Sequence, residues 1–194
     1  MSTINIAIFA SGNGTNCENI IRYFKNSETI RVALVVSDKS RAYVLQRAER
    51  LQIETRIISK ADLSNAEILL PLLRDFDIQF IVLAGFLQMI PAYLIRRYRR
   101  KMINIHPSLL PKFGGKGMYG IHVHEAVFMA REKETGMTVH WVSEQCDGGE
   151  IIAQYKTPLS SSDTIETIAA KEHELEMAYF PKVVESVVLD SCRL

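Results

Sequence analysis

Apolar residues along this chain follow two alternating rhythms. The stretches "NIAIFAS" (5–11), "RVALVVSD" (31–38), "TRIIS" (55–59) and "FIVLAGF" (80–86) are of strand length and rich in Ile, Val, Leu and Phe. Between them, "NCENIIRYFKNS" (16–27), "AYVLQRAERLQ" (42–52) and the segment around 64–74 repeat their apolar positions close to every 3.6 residues, as one face of a helix does. Apolar strands separated by amphipathic helices predict a parallel sheet covered on both faces. The expected fold is α/β, with a doubly wound, mostly parallel sheet.

After "KMINIH" (101–106) the rhythm changes. A Gly-rich loop, "GGKGMYG" (114–120), leads to a helical stretch near 123–132. "MTVHWVSE" (137–144) and "EIIAQYKTPL" (150–159), joined by "QCDGG" (145–149), predict an antiparallel C-terminal strand pair. Residues 161–188 read as a long C-terminal helix capped by Ser162 or Asp163, with Glu166 in its first turn. Pro181 is expected to kink or interrupt it. No repeat or linker divides the chain, so residues 1–194 are expected to form one domain, with a Rossmann-like half over 1–100 and a second half over 101–194.

Composition adds exclusions. Hydrophobic residues make up 47% and charged residues 23%, and the net charge is +1, so the totals give no electrostatic case for nucleic acid or an anionic membrane. The basic run "RRYRRK" (96–101) reads as a solvated helix end. Cys17, Cys146 and Cys192 show no CxxC spacing, which argues against a disulfide framework and for a reducing compartment. The N-terminal sequence carries neither a basic leader nor an apolar run of membrane length. A cytoplasmic protein is expected.

Two stretches carry candidate chemistry. "ASGNGTN" (10–16) lies between the first strand and the first helix, where backbone N–H groups and the helix dipole favour an anion. Its glycines permit close approach of a phosphate, with Thr15 and Asn16 adding side-chain hydrogen bonds. A dinucleotide fingerprint is a competing reading: Cys17 replaces its third glycine, while Asp38 ends the second strand where a ribose-binding acid belongs. A plain βα turn also remains open.

The second stretch is "NIHPSLLPKFGG" (104–115). Alternation at a strand end puts Asn104 and His106 on one face. A carboxamide N–H can stabilise an oxyanion, and an imidazole moves protons near neutral pH. Pro107 and Pro111 stiffen the exit. Asp147, in the "DGG" turn, is a candidate partner that would raise the His106 pKa and favour its charged form. Against this stand a buried, mutually satisfied Asn and His, and an Asp serving only its turn.

"HVH" (122–124) with His140 suggests a metal only weakly, because no further ligand falls at a recognised spacing. No metal is expected, and His140 is assigned to packing or support. Glu172, His173 and Glu176 read as surface ion pairs on a helix. Ser108 lacks the G-x-S-x-G setting of a nucleophile. Direct transfer between two bound substrates suits Asn, His and Asp better than covalent catalysis.

Taken together, "ASGNGTN", "IVLAGFLQMI", "NIHPSLLPKF", "TVHWVSEQCDGGEII" and "LEMAYFP" resemble the phosphoribosylglycinamide formyltransferases, a branch of the folate-dependent formyltransferase family, over almost the whole chain. The resemblance implies a single formyltransferase domain, its first half phosphate-binding and its second catalytic and folate-binding. It implies transfer of the formyl group of 10-formyltetrahydrofolate, a co-substrate, to the amine of 5-phosphoribosylglycinamide in purine biosynthesis. Asn104, His106 and Asp147 would form the catalytic set: Asn104 and protonated His106 stabilise the tetrahedral oxyanion, His106 takes part in proton movement, and Asp147 holds the imidazole charged. Gly14, Thr15 and Asn16 would hold the ribonucleotide phosphate, and Glu176 would grip the ribonucleotide. Leu87, Gln88, Met89 and Ile90, with Asn104 and the turn Ser143, Glu144, Gln145, Cys146 and Asp147, would line the folate pocket. The implied partners are small molecules, with no nucleic acid, membrane or metal.

Two features depart from many members. The 112–124 loop is longer, and "SKADLSNAE" (59–67) offers no clear match for a basic folate contact. The related alternatives are formyltetrahydrofolate deformylase, expected to carry an extra N-terminal domain, and methionyl-tRNA formyltransferase, expected to carry a C-terminal one. A nucleotide-binding module without chemistry is the alternative outside enzymes.

Overall fold

The structure is a computed structural model, and it describes residues 3–192. Seven strands form one sheet in the order β3-β2-β1-β4-β5-β6-β7: β1 (Ile4–Phe9), β2 (Ile30–Ser37), β3 (Thr55–Ile57), β4 (Ile78–Leu83), β5 (Met102–His106), β6 (Glu134–Trp141) and β7 (Ile151–Pro158). The chain divides into two compact units. The first holds the described residues up to Ile103 and those from Val184 onward; the second runs from Asn104 to Val183.

In the first unit β1 lies between β2 and β4, parallel to both, and β3 extends β2 in the same sense. All six residues of β1 are buried, which accounts for a strand apolar on both faces rather than alternating. Helix α1 (Thr15–Tyr23) turns Cys17, Ile20 and Ile21 inward, and α2 (Tyr43–Arg50) does the same with Val44, Leu45 and Ala48. These are the 3.6-period positions of the sequence. The helix expected around 64–74 is α4 (Ala66–Asp75), and a further short helix, α3 (Lys60–Ser64), precedes it. The break between them follows from local chemistry: Ser59 and Asp62 close a reciprocal capping box on α3, and Asn65 Oδ1 accepts Glu67 N–H to start α4 afresh. A short helix, α5 (Ala92–Arg97), begins after Pro91 and ends in Arg96 and Arg97, so the basic run is a helix end as expected.

The second unit contains α6 (Ile121–Met129) and the antiparallel pair β6–β7, in which Thr138 faces Gln154. Strand β6 starts three residues earlier than its apolar pattern does. Gly136 allows this, because a Cβ there would run into the Tyr155 carbonyl of β7.

Helix α7 (Ile165–Cys192) is continuous through Pro181, so the proline does not interrupt it. Proline removes one N–H and crowds one carbonyl, while Phe180 and Val184 on either side are fully buried, and that burial outweighs the local loss. The helix is also capped differently from expectation. Thr164 Oγ1 accepts Thr167 N–H, and Thr167 Oγ1 accepts Thr164 N–H. Asp163 instead pairs with Lys171 at 2.7 Å and accepts Ser160 N–H.

Candidate active site

The end of β5 delivers Asn104 and His106, and the turn after β6 delivers Asp147, in the same unit. His106 Nδ1 lies 3.5 Å from Asp147 Oδ2, with the side chains 5% and 10% exposed. The Nε2–H of His106 donates to the Phe113 carbonyl at 2.8 Å. Both ring nitrogens therefore face acceptors, an arrangement the imidazolium satisfies fully. Burial opposes that charge and pushes the His106 pKa below its ordinary value, outweighing the upward pull of Asp147 and the Phe113 carbonyl. The expectation that Asp147 would leave the pKa raised is corrected: the carboxylate acts in that direction, but desolvation is larger.

Asp147 is held tightly. Burial alone would raise its pKa, but the neighbouring His140 and His106 rings and the Gly115 N–H bring it below the usual carboxylate value; the Gly115 bond is 2.9 Å. Its backbone is left-handed, with φ 51, a conformation Asp tolerates in turns. Gly149 closes the turn where a Cβ would collide with the Trp141 carbonyl.

His140, assigned from sequence to packing or support, proves to organise the group. Its Nδ1–H donates to the Trp141 carbonyl at 2.9 Å, which leaves Nε2 as the acceptor of the neutral ring. Asn104 Nδ2–H donates to that Nε2 at 3.1 Å. The other Asn104 hydrogen points to Asp147 Oδ1 at a loose 3.5 Å. One tautomer thus fixes the carboxamide and leaves a weakly engaged donor.

Ser108 has a structural part. Its Oγ donates to the Lys112 carbonyl, and its own carbonyl accepts Thr138 Oγ1–H at 2.6 Å. Thr138 Oγ1 in turn accepts Leu110 N–H and Gln154 Nε2–H. The prolines and this network hold the loop whose Phe113 carbonyl reaches His106. Nothing in the sequence marked Phe113 or Gly115, since both contribute only backbone.

Glu172 and Glu176 do not form surface pairs. They are 2% and 8% exposed, and His173 Nδ1 lies 3.1 Å from Glu176 Oε2. The 3.6-residue period turns this face of α7 inward.

The Gly-rich loop lies in the first unit. Gly14 is left-handed (φ 80) and precedes α1, and a Cβ there would sit 2.5 Å from Val44 Cβ. Arg47 ties the loop to α2 by donating to the Asn13 carbonyl and Oδ1 and pairing with Glu18. Thr15 and Asn16 occupy the first turn of α1, where main-chain N–H groups lack helical acceptors. Cys17 is an inert packing thiol, its pKa pushed up to about 12, mainly by burial. Ser11 Oγ accepts Leu87 N–H, and Gln88 Nε2–H donates to Asp38 Oδ2 at 2.8 Å. Asp38 is thus engaged by the very segment that sequence resemblance assigned to the folate. Leu87 and Met89 are exposed and Ile90 is buried. In the 143–147 turn, Ser143 Oγ donates to the Gln145 carbonyl and the Cys146 thiol points to Asp147, while Glu144 lies beside them in sequence.

Among the described residues no group of His, Cys, Asp or Glu is arranged to hold a metal, and no helix is long and apolar enough to cross a membrane.

The family described as formyl transferase matches residues 4–184. A phosphoribosylglycinamide formyltransferase of Bacillus subtilis is 37% identical over 94% of this chain and 93% of its own length. A chloroplastic phosphoribosylglycinamide formyltransferase of Vigna unguiculata is 39% identical over 94% of this chain, which spans 60% of that relative. The crystal structure of phosphoribosylglycinamide formyltransferase from Bacillus halodurans superposes with a TM-score of 0.86 at 34% identity, covering 98% of each chain. With that fold, and with Asn104, His106 and Asp147 assembled at the end of β5, the chain belongs to the formyl transferase family, in its phosphoribosylglycinamide formyltransferase branch.

Proposed function

We propose that the protein transfers the formyl group of 10-formyltetrahydrofolate to the amine of 5-phosphoribosylglycinamide, and that Asn104, His106 and Asp147 carry the reaction. The observation that supports this most is the buried His106–Asp147 pair beside an Asn104 amide oriented by His140.

The substrate amine attacks the formyl carbon and gives a tetrahedral oxyanion. The loosely held Asn104 N–H is the donor for that oxygen. Burial lowers the His106 pKa against the upward pull of Asp147, which favours the neutral ring that can accept the proton the amine must lose and return it to the departing folate nitrogen. As negative charge develops, it joins Asp147 in favouring the imidazolium. Asp147, kept ionised by His140, His106 and the Gly115 N–H, holds the ring in place.

The loop Gly14, Thr15 and Asn16 is assigned to the ribonucleotide phosphate, supported by the left-handed Gly14 at the N-terminus of α1. Glu176 is assigned to the ribonucleotide, and Leu87 to Ile90 with Ser143 to Asp147 to the folate. A spectrophotometric assay with a 10-formyl folate analogue, with and without phosphoribosylglycinamide, tests the reading. Turnover that requires the ribonucleotide supports it. Turnover without it points to a deformylase, and no turnover by folded protein rejects the transfer.

A further inference from the structure

Glu172 is the most buried of the described carboxylates of α7. It is 2% exposed, lies one turn before the buried Glu176 on the same helix face, and its Oε1 is buried without a hydrogen-bond partner. Two ionised carboxylates buried one turn apart repel and offer each other no donor. A proton on one of them removes the repulsion and supplies the donor. Glu176 also receives the His173 Nδ1 contact at 3.1 Å. Its carboxylate is thus fixed from two directions by residues three and four positions back, on the same helix face.

We infer that Glu172 is a positioning residue: as a neutral acid it donates to Glu176 and holds that carboxylate as one oriented negative charge for the ribonucleotide. This rests on the function proposed above and deepens its assignment of Glu176.

The charge balance around the pair supports the neutral state. Burial, then the Glu176 charge and hydrogen bond, raises the Glu172 carboxyl well above the ordinary range. Titratable groups that act on Glu176 include His173 on α7, His124 on α6 and His106 on β5. Burial lowers the pKa of both His124 and His106, whereas the Glu176 hydrogen bond raises that of His173, so of these three His173 most favours its charged form. A second negative charge on the pair would add a buried like charge beside Glu176. Loss of the shared proton in alkali is therefore expected to disturb Glu176.

Steady-state kinetics with both substrates test the inference, using Glu172→Leu, which fills the space without a donor, and Glu172→Gln, which keeps one. Glu172→Leu is expected to raise KM for phosphoribosylglycinamide about tenfold and to leave KM for the formyl donor unchanged. Glu172→Gln is expected to restore the ribonucleotide KM and to remove its alkaline rise. Equal KM values for Leu and Gln, or an alkaline rise that persists in Gln, would overturn it. Carbon-13 NMR of the glutamate carboxyls in unliganded protein reads the proton without turnover. One resonance is expected to titrate well above the rest and to vanish in Glu172→Gln, and its absence from wild type also overturns the inference. If that resonance is present but wild type ignores the ribonucleotide, the shared proton stands, and the proposed function falls together with the positioning role.

Discussion

The Asn104 amide nitrogen and the His140 Nε2 are 3.1 Å apart, and the direction of that hydrogen bond is set from the far side of the imidazole. The Trp141 carbonyl takes the Nδ1 proton, so Nε2 must accept. The Asn104 carboxamide is thereby fixed with its nitrogen toward His140 and Asp147. A His140→Phe variant keeps the ring's bulk and removes the acceptor. It is expected to lower kcat about tenfold to a hundredfold, with little change in either KM, as loss of orientation at a reacting donor does. Steady-state kinetics would show it.

Thr138 is a buried three-way junction. Its hydroxyl donates to the Ser108 carbonyl and accepts from Leu110 N–H and Gln154 Nε2–H. Thr138→Val keeps the shape and strands the Ser108 carbonyl and the Leu110 N–H, while Gln154 keeps its bond to the Leu110 carbonyl, so a loss of about 2–4 kcal/mol in unfolding free energy is expected. Urea denaturation measures it. A change under about 0.5 kcal/mol, the range of ordinary surface substitutions, would deny the junction its role.

Gly14→Ala combines a left-handed backbone with a Cβ pressed on Val44. The expected cost is about 1–3 kcal/mol of strain, and the displaced loop is expected to raise KM for the ribonucleotide more than KM for the formyl donor. An equal rise in both would detach the loop from phosphate binding.

Stability should depend on pH through the buried histidines. Burial holds His106 and His124 below the ordinary imidazole value of 6.5. Each binds a proton more readily when unfolded, so their contribution is full above pH 6.5 and is lost as pH falls below it. His173 is raised, chiefly by its hydrogen bond to Glu176; its contribution is present below pH 6.5 and is lost as pH rises through its folded value. Melting temperature against pH from 5 to 8 should therefore show an acid decline that His124→Gln reduces. An identical acid slope in the variant would contradict the assignment.

The sheet was legible because β1, β2 and β4 are apolar on both faces and their helices repeat at 3.6. The ends of elements were less legible. Pro181 reads as a breaker by itself, yet the helix runs through it because Phe180 and Val184 are buried on either side. The short α3 before Asn65 was not legible, because five residues are too few to show a helical period. At the candidate site, Asn104, His106 and Asp147 stood out because their side chains are of types that donate, accept and move protons. Phe113 and Gly115 could not stand out, since they act through a carbonyl and an N–H that every residue has. The inward turn of Glu172 needed the packing of α7, because glutamates spaced along a helix look the same whether they meet water or a core.

The central claim is that His106 moves a proton under the control of Asp147, and Asp147→Asn tests it most directly. The amide preserves size but removes the charge that favours the imidazolium. Ribonucleotide-dependent formyl transfer is expected to fall about a hundredfold to ten-thousandfold in kcat, in a protein whose circular dichroism and melting remain those of a folded chain. Turnover within a few-fold of wild type in that folded variant would contradict the account.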